Sequence, residues 1–300
     1  MATKTSLLGL TKPAYTEAAD IAVLNTNFDL IDKAVGNGAR GANLLGNSYF
    51  PSAYVINQRG KTQYTGNVYT IDRWRTYSST AVINVGAAGI NPQTSALLQY
   101  LDIDPGKTYT AAICYADGTV SVQTGTFTAG FGSTSSGINC SVSNEYCRFL
   151  IRESASYIRW AALYEGAYTA ETLPAYVYKG YAAELAECQL YYENSWYGGN
   201  THRQNQTMGY AVDSTRLDSY IYFKQTKRVA PTVTLSPYNP GTYTNWVYYN
   251  GTYKEAATMT TVARGGNIGF MVRLTSASGD ALTKGTCYAM DGHWEASADL

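Results

Sequence analysis

From Leu44 onward, the chain consists of short runs of alternating apolar and polar residues, each broken by Gly, Asn, Asp or Pro. Successive side chains of a β-strand point to opposite faces, so this period-two pattern predicts strands. Asp117-Gly118 and Asn250-Gly251 stand between such runs, and these dipeptides are typical of tight hairpin turns. Many short strands at regular spacing favour a β-sandwich or jelly roll.

The composition is poor in charge and rich in tyrosine. Charged residues make up 15% of the 300 residues, against about 25% in ordinary proteins. Lys+Arg and Asp+Glu both total 22, so the net charge is zero, and we expect neither a nucleic-acid partner nor a membrane partner. The chain has 28 Tyr and 28 Gly. Tyrosine combines an apolar ring with a polar hydroxyl and suits surfaces that are partly buried and partly solvated. Its strand propensity alone accounts for part of the tyrosine content.

Cysteine and histidine usage argues against a metal or a disulfide framework. The five cysteines form no CxxC pair, and the two histidines have no metal-ligand spacing, so we expect no cofactor and no metal. The segment before Pro13 has no sustained apolar run and predicts no secretory signal. No apolar run is long enough to predict a membrane span.

Residues 14–35 are predicted to form an amphipathic helix. Apolar residues recur there at spacings of three and four, as on the a/d seam of a coiled coil. Gly36-Asn37-Gly38 predicts its end. Both a coiled coil and a short helix that docks on a partner fit this pattern, and either would serve attachment or oligomerisation. The seam residues are Ile21, Leu24, Phe28, Ile31 and Val35.

The predicted fold class is mainly β, and the chain divides into four segments. Residues 1–42 form an N-terminal helical attachment segment, and residues 43–180 form a jelly-roll-like β-sandwich. A linker over 181–197 contains a helix from Tyr181 to Glu193, which is rich in Ala, Glu and Leu and free of Gly and Pro. Residues 198–300 form a C-terminal β-sandwich.

Seven blocks of the sequence, in order along most of the chain, carry a resemblance to a known family. The blocks are Leu8–Val35, Asn43–Phe50, Val55–Gly60, Tyr69–Trp74, Asp104–Ala116, Trp160–Glu193 and Lys227–Leu235. They resemble phage tail-fibre and receptor-binding tail proteins of Gram-positive hosts, with a β domain similar to jelly-roll carbohydrate-binding modules. The resemblance implies a homotrimeric virion tail protein, made in the bacterial cytoplasm. Its N-terminal helix would hold the baseplate or another tail protein, and its distal β domain would contact a host surface glycan.

Glycan recognition needs aromatic faces for sugar C–H groups, with amides and hydroxyls around them. The densest such segment is Pro237–Tyr253. We predict that Trp246 and Tyr248 share the exposed face of a hairpin there and that Val247 points inward. The alternative is that this cluster packs across a trimer axis. The candidate ligand-binding residues are Trp246, Tyr248, Tyr243, Asn245 and Tyr253.

Two further blocks have competing interpretations. Tyr191-Tyr192 with Trp196-Tyr197 favours packing between domains over a functional role. The block 57–59 with 72–74 contains Arg59, Asp72 and Arg73 and fits a polar groove, but a buried Arg–carboxylate network is favoured.

Catalysis is not predicted. The pairs Asp102/Asp104 and Asp213/Asp218 are weak signals for a glycosidase, and no nucleophile motif or phosphate loop occurs. The sequence therefore favours a glycan-binding tail fibre that is not an enzyme. The alternatives are a purely structural tail or capsid component and, less favoured, a polysaccharide-degrading tailspike.

Overall fold

The computed structural model describes residues 3–4, 10–12, 14, 20–77, 82–93, 96–143, 145–153, 155–196, 206–262 and 266–299. Strands dominate these residues, which confirms the predicted mainly-β fold class. Two β domains follow the N-terminal helix, and a short helix stands between them.

The N-terminal segment contains a short antiparallel pair, β1 (Thr3–Lys4) and β2 (Thr11–Lys12), followed by helix α1 (Ile21–Arg40). Asp20 caps the helix by accepting a hydrogen bond from the Ala22 N–H at 2.8 Å. The predicted stop at Gly36 is wrong, because the helix continues to Arg40. Glycine in a helix has an entropic cost of about 1 kcal/mol and does not forbid the conformation. The predicted start at residue 14 is wrong as well, because Ala14 is not helical and the helix begins at Ile21. Residues 15–19 of the predicted helix lie outside the described residues.

The middle domain is a β-sandwich of two antiparallel sheets. Strands β10-β11-β12-β7-β4 form one sheet and β3-β5-β6-β13-β8-β9 form the other. Both sheets contribute to one core, with Leu97 and Phe149 from the first and Ile83 and Ile113 from the second. The strands are β3 (Gln63–Thr65), β4 (Arg75–Thr76), β5 (Val82–Gly86), β6 (Gly89–Asn91), β7 (Ala96–Leu101), β8 (Thr108–Tyr115), β9 (Val120–Thr126), β10 (Phe131–Gly132), β11 (Gly137–Ser143), β12 (Tyr146–Arg152) and β13 (Ile158–Glu165).

The predicted hairpin at Asp117-Gly118 is confirmed, because β8 and β9 pair on either side of it. Gly118 has φ +90°, a conformation that residues with a Cβ rarely adopt. Trp74 lies at the centre of the sandwich core, with its ring 5.3 Å from Phe50 and 6.1 Å from Phe149. Its indole N–H donates to the Asn47 carbonyl at 2.9 Å, so the one polar atom of this buried ring has a partner.

The linker helix α2 (Tyr181–Gln189) ends earlier than predicted, and β14 (Tyr192–Asn194) follows it. Tyr192 and Glu193 therefore belong to a strand, which the helix-forming composition of this segment did not reveal. Tertiary pairing is the reason, since β14 pairs with β22 (His293–Ser297) near the end of the chain. Glu184 of α2 is buried against the sandwich and accepts a hydrogen bond from the Asn47 N–H at 2.9 Å.

The C-terminal domain contains a closed barrel, with strand order β15-β16-β20-β19-β18-β21, beside a three-stranded sheet of order β14-β22-β17. Barrel and sheet share one hydrophobic core, which contains Trp246, Trp294, Phe223 and Phe270. The remaining strands are β15 (Gln206–Ala211), β16 (Arg216–Tyr222), β17 (Thr232–Ser236), β18 (Val247–Tyr249), β19 (Tyr253–Val262), β20 (Gly269–Ser276) and β21 (Cys287–Asp291).

Candidate functional site

The hairpin predicted to bind ligand exists, but its two leading residues are inside the protein. Strands β18 and β19 pair around Asn250-Gly251, and Tyr249 lies opposite Tyr253. Trp246 and Tyr248, which were expected on the exposed face, are both 0% exposed, so this prediction is wrong. Val247 is buried as well.

Barrel closure explains this burial, because the interior of a small barrel is filled by side chains. The Trp246 indole N–H donates to the His293 carbonyl at 3.1 Å. Its ring lies against Gly292, where a Cβ would come within 2.2 Å of the indole. Tyr248 packs edge-on against Tyr288, with 6.4 Å between ring centroids. Neither Trp246 nor Tyr248 is available to a ligand in this chain.

Four other tyrosines of the same segment form a surface cluster, here called the tyrosine patch: Tyr238, Tyr243, Tyr249 and Tyr253. Tyr249 is 49% exposed and Tyr253 is 42% exposed, and their ring centroids lie 5.4 Å apart. Tyr238 stacks on Tyr253 with an interplanar angle of 13° at 6.1 Å, and its ring centroid lies 5.7 Å from that of Tyr243. The patch thus includes two of the predicted residues, Tyr243 and Tyr253.

The loop that carries Tyr243 is held by Glu255. One oxygen of this carboxylate accepts hydrogen bonds from the Thr244 N–H, the Thr244 hydroxyl and the Asn245 N–H at 2.6, 2.8 and 3.0 Å. The bonds from Thr244 hold the pKa of Glu255 below its ordinary value. Asn245, the remaining predicted residue, is half-buried, and its side-chain amide donates to the Thr244 hydroxyl. The patch therefore rests on an ordered loop.

A buried Arg–carboxylate network contains Arg59 and Asp72, which confirms the favoured interpretation of this block, and it extends beyond the sandwich to Asp299 of the C-terminal domain. The Arg59 guanidinium donates to Asp299 at 3.1 Å and lies 3.7 Å from Asp72. Burial raises the pKa of Asp72 to about 6, although Arg59 opposes this shift. On its other side Arg59 stacks on the Tyr192 ring at 3.6 Å. Asp299, at the other end of the sequence, could not be assigned to this network from local pattern.

Tyr191 and Tyr192 pack between the domains, as predicted. The Tyr191 ring lies 3.4 Å from the guanidinium of Arg73 in the sandwich and 5.7 Å from that of Arg228 in the C-terminal domain. Trp196 contacts the His293 ring at 5.3 Å. Tyr197 lies outside the described residues.

An open cleft runs beside this network, here called the interdomain cleft. It consists of two adjoining cavities of about 470 and 400 Å³. Both are lined by Arg59, Val68, Tyr69, Tyr192 and Glu295. The sequence favours a buried network over a polar groove at Arg59, whereas the structure contains both.

Three of the four acidic residues considered for catalysis form structural contacts. Asp104 accepts from the Gly106 N–H, and Asp213 accepts from the Thr215 N–H, both at 2.9 Å. Asp218 binds Arg273 through both oxygens at 2.8 and 2.9 Å. These contacts are those of turns and cross-strand pairs.

The apolar stripe of α1 faces solvent in the single chain. Ile21 is 74% exposed and Phe28 is 63% exposed, and Leu24 and Ile31 are exposed too. The side chain of Val35 lies outside the described residues. Asn27, off the stripe, exchanges two hydrogen bonds with the Thr11 backbone at 2.8 and 2.9 Å.

Within the described ranges, no group of three or more His, Cys, Asp or Glu side chains is placed to hold a metal ion. Neither helix combines the length and the hydrophobicity that crossing a bilayer requires, as far as the described residues extend. Comparison of the chain with protein-family models, with curated proteins and with solved structures found no match.

Proposed function

We propose that this protein is a homotrimeric virion tail fibre or receptor-binding protein that attaches a phage to a glycan on the host surface. The observation that carries the proposal is the tyrosine patch, where four neighbouring rings stand on a closed barrel. Aromatic faces pack against the C–H faces of sugars, and stiff tyrosine side chains lose little rotamer freedom on binding. Asn250, exposed in the turn between Tyr249 and Tyr253, offers an amide to sugar hydroxyls.

The exposed stripe of α1 supports the trimeric part of the proposal. Four apolar side chains at a and d spacing are exposed to solvent in the single chain. Burying apolar area contributes about 25 cal/mol per Å², so packing of these stripes against one another would favour the association of the helices. Three patches on one fibre would raise a weak single-site affinity by multivalency.

Binding to whole cells tests the glycan-binding part. The purified protein is applied to a panel of Gram-positive strains as wild type, as Tyr249→Ala/Tyr253→Ala and as Tyr222→Ala, a control with an exposed tyrosine on β16. We expect strain-selective binding that the double variant loses and the control retains. Binding that survives the double variant, or no binding to any strain, contradicts the proposal.

Light scattering tests the trimeric part. The wild type is expected to have the mass of a trimer, and Phe28→Asp is expected to dissociate it, because a charge on the seam has no favourable partner in a coiled coil. Asn25→Asp adds the same charge to an exposed position off the stripe and should leave the mass unchanged. A monomeric wild type would refute the trimer.

A purely structural tail component is the second candidate. The burial of Trp246 and Tyr248 favours it, because a component without a receptor has no need to expose these rings. On this alternative the tyrosine patch is covered by a neighbouring chain. Tyr249→Ala/Tyr253→Ala would then change the assembled mass, whereas a receptor site would lose only cell binding.

A further inference from the structure

We propose that the interdomain cleft is a second ligand-binding site, which takes a saccharide segment carrying anionic groups. This inference rests on the proposed function only for the saccharide nature of the ligand. Charge, aromatic lining, shape and rigidity each support it separately.

The cleft has the dimensions of a ligand site. Each cavity falls within the range of about 300–1,000 Å³ that small-molecule sites occupy. The two share five lining residues, so they form one continuous groove with room for a short oligosaccharide. Tyr69 comes from the sandwich, Tyr192 from the linker strand and Glu295 from β22, so the groove exists only where the two domains meet.

Positive charge predominates along the groove. Arg59, Lys61 and Arg75 line it, and Glu295 is the one acidic lining residue among the described positions. The charge of Arg59 is offset from beneath by the buried Asp72 and Asp299. Lys61 is exposed and Arg75 is half-buried, and neither forms an ion pair with a described residue. Among the described residues, Lys61 and Arg75 thus face a ligand in the groove without an ion-pair partner, and Glu295 is the one acidic side chain that lines the groove beside them.

Aromatic rings stand beside these cations. Two guanidiniums lie near the Tyr69 ring, whose centroid is 5.6 Å from the Cζ atom of Arg59 and 5.7 Å from the Cζ atom of Arg75. Trp196 lines the same groove on the side of the linker. A sugar ring that packs against Trp196 would lie in the same cavity as Arg59 and Lys61, where a carboxylate or phosphate on the sugar can reach a cation.

The floor of the groove is rigid before any ligand arrives. Arg59 is clamped between the Tyr192 ring and two carboxylates. The Gln58 side-chain amide donates to the Tyr192 carbonyl at 2.9 Å, and the Asn194 side-chain amide donates to the Gln58 carbonyl at 2.9 Å. The Tyr192 hydroxyl donates to Glu295 at 2.9 Å. A preformed site loses little entropy on binding.

Calorimetric titration with three soluble polymers tests the inference. Polygalacturonate carries carboxylates, poly(glycerol phosphate) carries phosphates, and dextran is neutral. The variant Lys61→Gln/Arg75→Gln removes two charges from the groove, and Lys12→Gln/Lys284→Gln removes two exposed charges elsewhere. The thermal unfolding of both variants is compared with that of the wild type to verify folding.

We expect at least one anionic polymer to bind and dextran not to bind. The groove variant should lose affinity by about tenfold or more, because hydrogen bonds to charged groups are lost, and the control should not. Added salt should weaken the binding by screening. Binding of polygalacturonate alone or of poly(glycerol phosphate) alone supports the inference and identifies the anionic group.

The inference is overturned if neither anionic polymer binds, if dextran binds equally well, or if the groove variant binds like its control. These outcomes are independent of the tyrosine patch, which Lys61→Gln/Arg75→Gln leaves intact. Polymer binding that depends on the groove charges, without attachment to any cell, would support the inference while contradicting the proposed receptor function.

Discussion

The two β domains enclose their cores differently. In the middle domain, two open sheets face each other over a core that is largely aliphatic, with Trp74 and two phenylalanines at one place in it. In the C-terminal domain, six strands close on themselves, and the core that the barrel shares with the three-stranded sheet contains a larger share of aromatic side chains, beside Leu, Val, Met and Ala residues. Closure leaves a narrow interior, which a few large rings fill.

This difference explains why the aromatic side chains of the segment Pro237–Tyr253 are divided between the core and the surface. In an open sandwich, one face of each strand meets the other sheet and the opposite face meets solvent. In the barrel, Trp246 and Tyr248 point inward. The exposed rings are Tyr249 and Tyr253, at the strand ends that flank the hairpin turn. In this aromatic segment, some of the rings fill the core and the others remain at the surface.

The largest expected effect is the loss of either central tryptophan. Trp74→Ala and Trp246→Ala should each lower the free energy of unfolding by about 3–5 kcal/mol, because each leaves a cavity where a fully buried ring stood. Denaturant unfolding followed by circular dichroism measures this. Trp160→Ala, which removes a half-buried ring that stacks on Tyr176, should cost clearly less. Equal effects of Trp246→Ala and Trp160→Ala would contradict the barrel-core assignment.

The junction beside the barrel depends on a buried ion pair. Lys227 donates to Glu193 at 2.8 Å, and both side chains are buried. Lys227→Met leaves this carboxylate without its cation and should cost about 3–5 kcal/mol. The exposed pair Lys107–Glu165, at 2.9 Å, is the matched control, and Lys107→Met should leave the stability nearly unchanged. Urea titration compares the two, and a neutral Lys227→Met would show that the pair is dispensable.

Adding a methyl group at Gly292 tests the packing around Trp246 and should lower the stability by less than the preceding substitutions. Its Cβ would lie 2.2 Å from the Trp246 ring, so Gly292→Ala should cost about 1–3 kcal/mol by overpacking. Gly106→Ala, where the nearest atom is an Asp104 oxygen at 3.4 Å, is the control in the sandwich and should be nearly neutral. The melting temperatures of both variants give the comparison, and an unchanged value for Gly292→Ala would refute close packing at this site.

The smallest expected effect is a pH dependence at the junction of the two domains. Because burial raises the pKa of Asp72 to about 6, the folded state takes up a proton at a pH where the unfolded state remains charged. This residue therefore adds about 1 kcal/mol to the free energy of unfolding as the pH falls from about 7 to about 5. Asp72→Asn should abolish that gain.

Urea midpoints at the two pH values measure this effect. Asp117→Asn is the control, since hydrogen bonds from Thr119 lower the pKa of Asp117 and keep its titration below this range. The wild-type gain should persist in the control. A gain of the same size in Asp72→Asn would assign the pH dependence to other groups.

Much of the fold could be predicted from local pattern. Both hairpins with an Asx-Gly turn are present, because such a dipeptide selects a turn geometry without tertiary help. The end of α1 and the end of α2 were misplaced. Gly36 was expected to stop the first helix, and Tyr192 was assigned to a helix although it pairs with β22.

The candidate site was predicted only in part. Tyr243 and Tyr253 belong to the surface cluster, but Trp246 and Tyr248 do not. Period-two alternation separates two faces of a strand without saying which is inside, and here both faces carried large side chains. The choice between them depended on barrel closure, which no local run of residues encodes.

The sequence by itself determined the β-rich class, the hairpin turns and the amphipathic stripe of α1, because each depends on neighbours a few residues apart. Tertiary structure alone decided the burial of Trp246, the position of Asp299 beside Arg59 and the existence of the interdomain cleft. Each of these requires residues from distant parts of the chain to meet. Arg59 and Asp299 are 240 positions apart, and only the docking of two folded domains brings them within 3.1 Å.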